Sequence, residues 1–303
     1  MNEHIDLSVQ IGNLHLKNPV MPASGTFSDD LAQVFDLDIL AAHVLKTVTP
    51  QPRRGNPQPR LHETAAGMLN SIGIPNHGVE HFLAHTLPRY ARYQAPLVVS
   101  ISADTAAEFA QICHQVSVPG VSVIEANISC PNLEEDGRAF AMHPESTHKV
   151  IKSLRQATDL PLWAKLSPNT GDIAAVAQAA EDAGADALVV ANTILGMAID
   201  VETFRPRLGA ITGGLSGPAI KPIHLRMVYQ CRRAVKIPII GVGGISNATD
   251  AVEYLLAGAS AVQVGTATFI HPHAMPEIIA GLQAYMQRKG ITRVTDLIGL
   301  ALD

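Results

Sequence analysis

Eight short runs rich in β-branched and apolar residues recur along the chain, at residues 19–24, 43–48, 96–102, 123–129, 160–167, 187–193, 237–244 and 261–267. Each has the length of a buried strand. Most lack the polar alternation of a strand with one wet face, as expected when both faces are covered. Longer helical patterns separate the runs. One spans 172–183 and stops at Gly184, a residue suited to the left-handed position after a helix. Another begins near Asn247, with Asp250 three positions later, and stops at Gly258. The endings Ala183-Gly184-Ala185-Asp186 and Ala257-Gly258-Ala259-Ser260 echo each other, as a repeated unit would. A strand followed by a helix, eight times, predicts an α/β fold: a (β/α)8 TIM barrel, one domain over residues 1–303. The competing arrangement is an open doubly wound sheet, and no G-x-G-x-x-G follows the first run to support it.

Bulk properties narrow the partners. The 303 residues are 47% hydrophobic and only 16% charged, which suits a large core and not a disordered chain. A net charge of −5 offers no basic field for nucleic acid. The three cysteines, Cys113, Cys130 and Cys231, form no C-x-x-C pair, so neither a disulfide framework nor a zinc or iron–sulfur site is expected of this chain. Residues 1–10 carry Glu3 and Asp6 and no apolar run, unlike a signal peptide, and no apolar stretch is long enough to span a membrane. A cytoplasmic protein is the expectation. Most of the thirteen histidines are read as surface or loop residues, with no H-x-x-x-H metal pattern expected on one helix, and no metal site is expected.

In a barrel the site is built at the C-terminal ends of the strands. Those ends are unusually polar here: Lys46-Thr47 on the second run, Glu125, Asn127 and Cys130 on the fourth, Lys165 and Ser167 on the fifth, Asn192-Thr193 on the sixth. Period two puts Glu125 and Asn127 on one face of their strand, and Lys165 and Ser167 on one face of theirs. A lone lysine in a strand usually marks an edge. A barrel has none, and buried charge is costly, so Lys46 and Lys165 are read as site residues. The last two runs end in Gly243-Gly244 and Gly265-Thr266; these could be mere turn glycines, but two such pairs on adjacent strands favour the phosphate-binding loops of many barrels. Cys113 and Cys231 fall in helical patterns and read as small buried hydrophobes. Cys130 sits at a strand end and is a nucleophile, a base or a packing residue. The segment 133–139 after it reads as a lid. Two long connections, 49–76 and 194–217, follow strands and so lie over the site.

Several motifs resemble class 1 dihydroorotate dehydrogenase. They are Asn-Ile-Ser-Cys-Pro-Asn (127–132), Lys-Leu-Ser-Pro-Asn (165–169), Asn-Thr-Ile-Leu-Gly-Met (192–197), Gly-Gly-Leu-Ser-Gly-Pro-Ala-Ile-Lys-Pro (213–222), Gly-Asn-Pro-Gln-Pro-Arg (55–60), Asn-Ser-Ile-Gly-Ile-Pro-Asn (70–76) and the two glycine pairs. The resemblance covers nearly the whole chain in order. It implies an FMN-containing barrel that oxidises dihydroorotate to orotate in pyrimidine synthesis. By that resemblance Cys130 is the base that takes the C5 proton while a hydride leaves C6 for the flavin. Lys46, Asn70, Ile72, Gly73, Ile74, Asn127, Asn132, Asn192 and Thr193 match substrate-holding positions. Ser24, Lys46, Thr47, Ser100, Asn127, Lys165, Ala191, Gly217, Gly243, Gly244, Gly265 and Thr266 match FMN-holding positions, with Lys165 near the N1/O2 edge. Ser100 is a departure, since relatives often carry Asn there, and its shorter reach puts that flavin contact in doubt.

The segments 192–198 and 213–222 look more like the NAD-linked subtype, whereas 296–299 resembles the fumarate-linked one. The NAD-linked subtype implies a homodimer joined by a subunit carrying FAD and a [2Fe-2S] cluster, giving a heterotetramer. Competing readings are a related FMN enzyme acting on dihydropyrimidines, a Schiff-base aldolase or sugar-phosphate isomerase using Lys165 or Lys46, and a non-catalytic phosphate-binding barrel.

Overall fold

The computed structural model describes residues 5–129 and 139–302. The eight runs form the strands of one parallel sheet: β1 (Val20–Pro22), β2 (His43–Val44), β3 (Leu97–Ile101), β4 (Val123–Asn127), β5 (Leu162–Lys165), β6 (Ala187–Val190), β7 (Ile239–Val242) and β8 (Ala261–Val264). From β2 to β8 each strand pairs with the next, and β8 pairs with β1. The remaining seam is crossed by the Ala41 N–H, which donates to the Val20 carbonyl at 2.9 Å. The sheet is thus a nearly closed (β/α)8 barrel. Every residue of these strands is buried, because side chains fill the inside and helices cover the outside.

The covering helices are α1 (Ala106–Val116), α2 (Pro144–Arg155), α3 (Ile173–Asp182), α4 (Lys221–Ala234), α5 (Ala248–Leu256) and α6 (Ala274–Lys289). Each turns one apolar stripe inward, as α1 does with Phe109, Ile112, Cys113 and Val116. Cys113 and Cys231 lie fully buried in such stripes, and burial pushes both thiols up to about 12. They are packing residues. Asp172 caps α3 by accepting from the Ala174 and Ala175 amides, and Asn247 with Asp250 forms a capping box on α5. Gly184 and Gly258 follow the two helices at φ 99° and 104°.

The two ends of the barrel differ. At the N-terminal end a hairpin of Val9–Ile11 and Leu14–Leu16 buries Val9, Ile11 and Leu16 in the core, with its Gly12 turn beside Asp186 just ahead of β6. At the other end the two long connections combine. Leu61–Thr64, Gly67–Asn70, Ile194–Met197 and Thr212–Ser216 form a four-stranded antiparallel sheet. Sequence reading leaves these segments as loops, so the sheet corrects it. The second run is also interrupted. Its ladder covers His43–Val44, resumes as a single bridge between Val48 and Ile101, and leaves Lys46 and Thr47 at the break. No helix among the described residues is long and apolar enough to cross a membrane.

Candidate active site

Backbone shapes the part of the site at the ends of β6, β7 and β8. Gly243 has φ 134°, and a Cβ there would lie 2.2 Å from Nδ1 of His224. His224, on α4, is fully buried and donates from Nδ1 to the Val242 carbonyl at 2.7 Å. Burial holds its pKa below the ordinary imidazole value, and Nδ1 carries the proton because a carbonyl can only accept. Tyr254 of α5 donates its hydroxyl to the Gly243 carbonyl at 2.7 Å, and its ring occupies the space a Cβ on Gly241 would need. Gly244, at φ 69°, packs on the Gly217 carbonyl and on Lys221, and Gly217, at φ 96°, packs on Gly67. Lys221 in turn bridges Asp250 at 2.7 Å and Glu253 at 2.9 Å, fixing α4 to α5. Gly265 is less constrained: its Cβ would meet Ala23 at an ordinary 3.6 Å. Thr266 donates to Ser216 Oγ or accepts from it at 2.7 Å, tying the end of β8 to the added sheet. Three glycines that leave no room for a side chain thus gather at this end of the barrel, where the sequence expectation of a phosphate-binding loop falls. His224 and Tyr254 were not among the sequence candidates. No spacing marks them, since their roles depend on which carbonyl the fold sets above them.

Side chains shape the other part. Lys165 ends β5, buried, with Nζ donating to Ser24 Oγ at 2.9 Å and lying 3.8 Å from Glu125 of β4. Thr47 and Ser100 share a hydrogen bond at 3.0 Å, and Asn127 Nδ2 donates to Thr47 Oγ1 at 3.3 Å. Ser129 donates to Asn127 Oδ1 at 2.7 Å, and Asn192 Nδ2 donates to Ser129 Oγ at 2.5 Å. Asn192 Oδ1 then accepts from the Thr193 amide at 2.8 Å. One chain of hydroxyls and amides therefore runs across the ends of β2, β3, β4 and β6. Asn169 supports its far end, donating to the Thr193 carbonyl at 3.3 Å and accepting from the Leu195 amide at 2.9 Å. Ala191 is buried at the end of β6, its amide donating to the Val242 carbonyl at 3.2 Å.

Lys46 stands beside the β1 loop, with Nζ 3.5 Å from where a Cβ on Gly25 would be. It lines a cleft of about 460 Å3 together with Phe27, Val48, Pro75 and Asn76. Asn70 sits on the added sheet and donates to the Gly214 carbonyl at 3.1 Å. Ile72, Gly73 and Ile74 follow in a loop backed by Asn56. The Asn56 amide donates to the Ile72 carbonyl at 3.1 Å, and a Cβ on Gly73 would lie 2.4 Å from Asn56 Oδ1. Ile74 has φ 50°, a strained conformation for a β-branched residue. Cys130, Asn132 and most of the expected lid lie outside the described residues. His77, His81 and His85 form an exposed row with ring centroids 4.6 and 4.7 Å apart, so the expectation that no H-x-x-x-H spacing lies along one helical stretch is corrected. Among the described residues no group of three or more His, Cys, Asp or Glu side chains could hold a metal ion.

The profile of the family described as dihydroorotate dehydrogenase matches residues 6–286. A protein of Pelobacter propionicus is 49% identical over 97% of this chain and 98% of its own length. One of Desulforamulus reducens is 49% identical over 98% and 99%, and one of Listeria monocytogenes 46% over 96% and 97%. All three are named dihydroorotate dehydrogenase B (NAD(+)), catalytic subunit. With a match over nearly its full length, the chain belongs to the dihydroorotate dehydrogenase family.

Proposed function

We propose that this chain is a cytoplasmic oxidoreductase, a single FMN-binding barrel domain that oxidises (S)-dihydroorotate to orotate in de novo pyrimidine biosynthesis. The observation that carries the reading is the bare-backbone glycines together with a buried lysine at the strand ends, in a chain of this family. The residues fit FMN. Gly217, Gly243 and Gly244 keep bare backbone where neighbouring protein atoms already occupy the place of a Cβ, which suits the close approach of a phosphate, and Lys165 supplies a buried cation for the polar edge of the ring. Ser24, Lys46, Thr47, Ser100, Asn127, Ala191, Gly265 and Thr266 complete that set. Bound FMN supplies the hydride acceptor. The chain's own residues position the substrate and move its proton.

The amides of Asn70, Asn127, Asn132 and Asn192, with Lys46, Thr193 and the backbone of 72–74, hold the polar groups of dihydroorotate. Cys130 accepts the proton leaving C5, which is acidified by the neighbouring carbonyl. An ordinary thiol ionises near pH 8.5, so substrate oxidation rises toward alkaline pH through a single ionisation. Cys130→Ala keeps FMN and slows flavin reduction by about a hundredfold or more.

Electrons then leave to NAD+ through a partner subunit carrying FAD and a [2Fe-2S] cluster. The names of the relatives support both the acceptor and the existence of a partner. Exposed Leu195, Met197, Ile199, Val201 and Phe204 support an assembly, a homodimer extended to a heterotetramer, over a monomer. The test is the electron acceptor. The FMN-loaded chain alone is expected to reduce neither NAD+ nor fumarate rapidly, and adding the partner subunit is expected to switch on NAD+ reduction by dihydroorotate. Rapid fumarate reduction by the chain alone contradicts the proposal.

A further inference from the structure

Below Lys165, inside the barrel, lies a buried pair with no role in the reading above. Glu125 of β4 and Gln263 of β8 are both fully buried and meet across the barrel, Gln263 Nε2 donating to Glu125 Oε2 at 2.8 Å. Oε1 of Glu125 has no hydrogen bond, and neither has Oε1 of Gln263. Glu125 forms an ion pair with Lys165 at 3.8 Å, longer than a hydrogen bond, while the ammonium donates to Ser24 at the strand ends. A carboxylate in this position costs desolvation that a glutamine or an apolar side chain would avoid. Packing alone does not call for it. What it supplies is a negative charge directly behind a lysine whose three protons can be shared between Ser24, the carboxylate and the mouth of the barrel.

We propose that Glu125, seated on Gln263, is a positioning residue that sets how much of the Lys165 charge reaches the flavin, and thereby sets the flavin reduction potential. The inference rests on the flavin reading of this site. Its sign follows from electrostatics. The ring gains negative charge on reduction, Lys165 favours that state, and the carboxylate behind Lys165 offsets part of the benefit. Removing the carboxylate's charge leaves the ammonium uncompensated and favours the reduced ring.

The test is a potentiometric titration of the FMN-loaded chain without substrate, so turnover plays no part in the readout. Glu125→Gln is expected to raise the two-electron midpoint potential by about 30 mV or more, a tenfold change in the ratio of reduced to oxidised flavin. Lys165→Met is expected to lower it. In the Lys165→Met background the Glu125→Gln shift is expected to shrink to about twofold in that ratio or less, because the glutamate acts through the lysine. Glu125→Asp keeps the charge but withdraws it by one methylene. It is expected to move the potential in the same direction by less, and it replaces the amide variant if that variant does not load FMN. An unchanged potential in Glu125→Gln, or an equal shift with and without Lys165, overturns the inference and leaves the flavin reading standing. A Lys165→Met potential equal to that of the unaltered protein likewise overturns the inference with FMN still bound, whereas a chain that takes up no FMN refutes the flavin reading and this inference with it.

Discussion

At the ends of β7 and β8 the candidate site is made of backbone, whereas at the ends of β2 to β6 it is made of side chains. In the first region His224, Tyr254 and Lys221 pack against the backbone of Gly241, Gly243 and Gly244 and fix its path. In the second, Thr47, Ser100, Asn127, Ser129 and Asn192 hold one another by hydrogen bonds, and each has rotamers to fall back on. The glycine region therefore fails abruptly when altered, and the hydroxyl–amide region fails by degrees.

The largest effect belongs to Gly243→Ala. Its Cβ would meet His224 Nδ1 at 2.2 Å with the backbone at φ 134°, so the strand end or the fully buried His224 ring must shift. It is expected to cost on the order of 2–3 kcal/mol of stability and to abolish FMN retention through purification. Gly265→Ala sharpens the contrast, because its Cβ meets nothing closer than 3.6 Å. That variant is expected to melt with the unaltered protein and only to weaken FMN affinity. Equal damage at both positions, read by thermal melting and FMN content, breaks the comparison.

An intermediate effect is expected for Asn192→Ala. The change removes the donor to Ser129 and the acceptor for the Thr193 amide. Losing such partners costs about 1–2 kcal/mol, which in rate terms is about tenfold. FMN should stay bound while flavin reduction by dihydroorotate slows by that factor, measured by rapid mixing. Loss of FMN instead would place Asn192 with the glycine region. Ser100→Ala is milder. It removes one buried hydrogen bond to Thr47, with an expected cost of about 1 kcal/mol in denaturant unfolding and activity within about threefold.

The smallest effect is one of pH. Burial depresses the imidazole pKa of His224 behind Gly243, and of His43 under β2. Each then favours the folded state fully above the unfolded value of about 6.5, and that contribution is lost as pH falls from there toward the depressed folded value. Melting temperature is expected to decline as pH falls below about 6.5, and less steeply in His224→Gln. Parallel profiles for the two proteins would show that His224 contributes nothing to the decline.

The same contrast explains what could be read from the sequence. The strands, the caps at Asp172 and Asn247, the glycines after α3 and α5 and the buried Cys113 and Cys231 all follow from local pattern, because burial and capping act over a few residues. Lys165, Asn127 and Asn192 stood out as candidates because polar residues at the ends of buried strands are out of place unless used, and the structure places all three at strand ends. The four-stranded sheet was not. Its strands carry Gly67, Gly196, Gly213 and Gly214, and they pair across gaps such as Asn70 to Gly214, where no local signal exists. Glu125 was visible as one face of a strand, but its partner Gln263 sits on the opposite side of the barrel. Ser100 looked like a weak point by its short reach, and its hydroxyl is engaged with that of Thr47.

The most direct measurement is an anaerobic titration of the purified chain with (S)-dihydroorotate, followed by flavin absorbance. One FMN per chain is expected, bleaching in step with the orotate formed. A colourless protein that takes up no FMN, or a bound flavin that dihydroorotate leaves oxidised, contradicts the account.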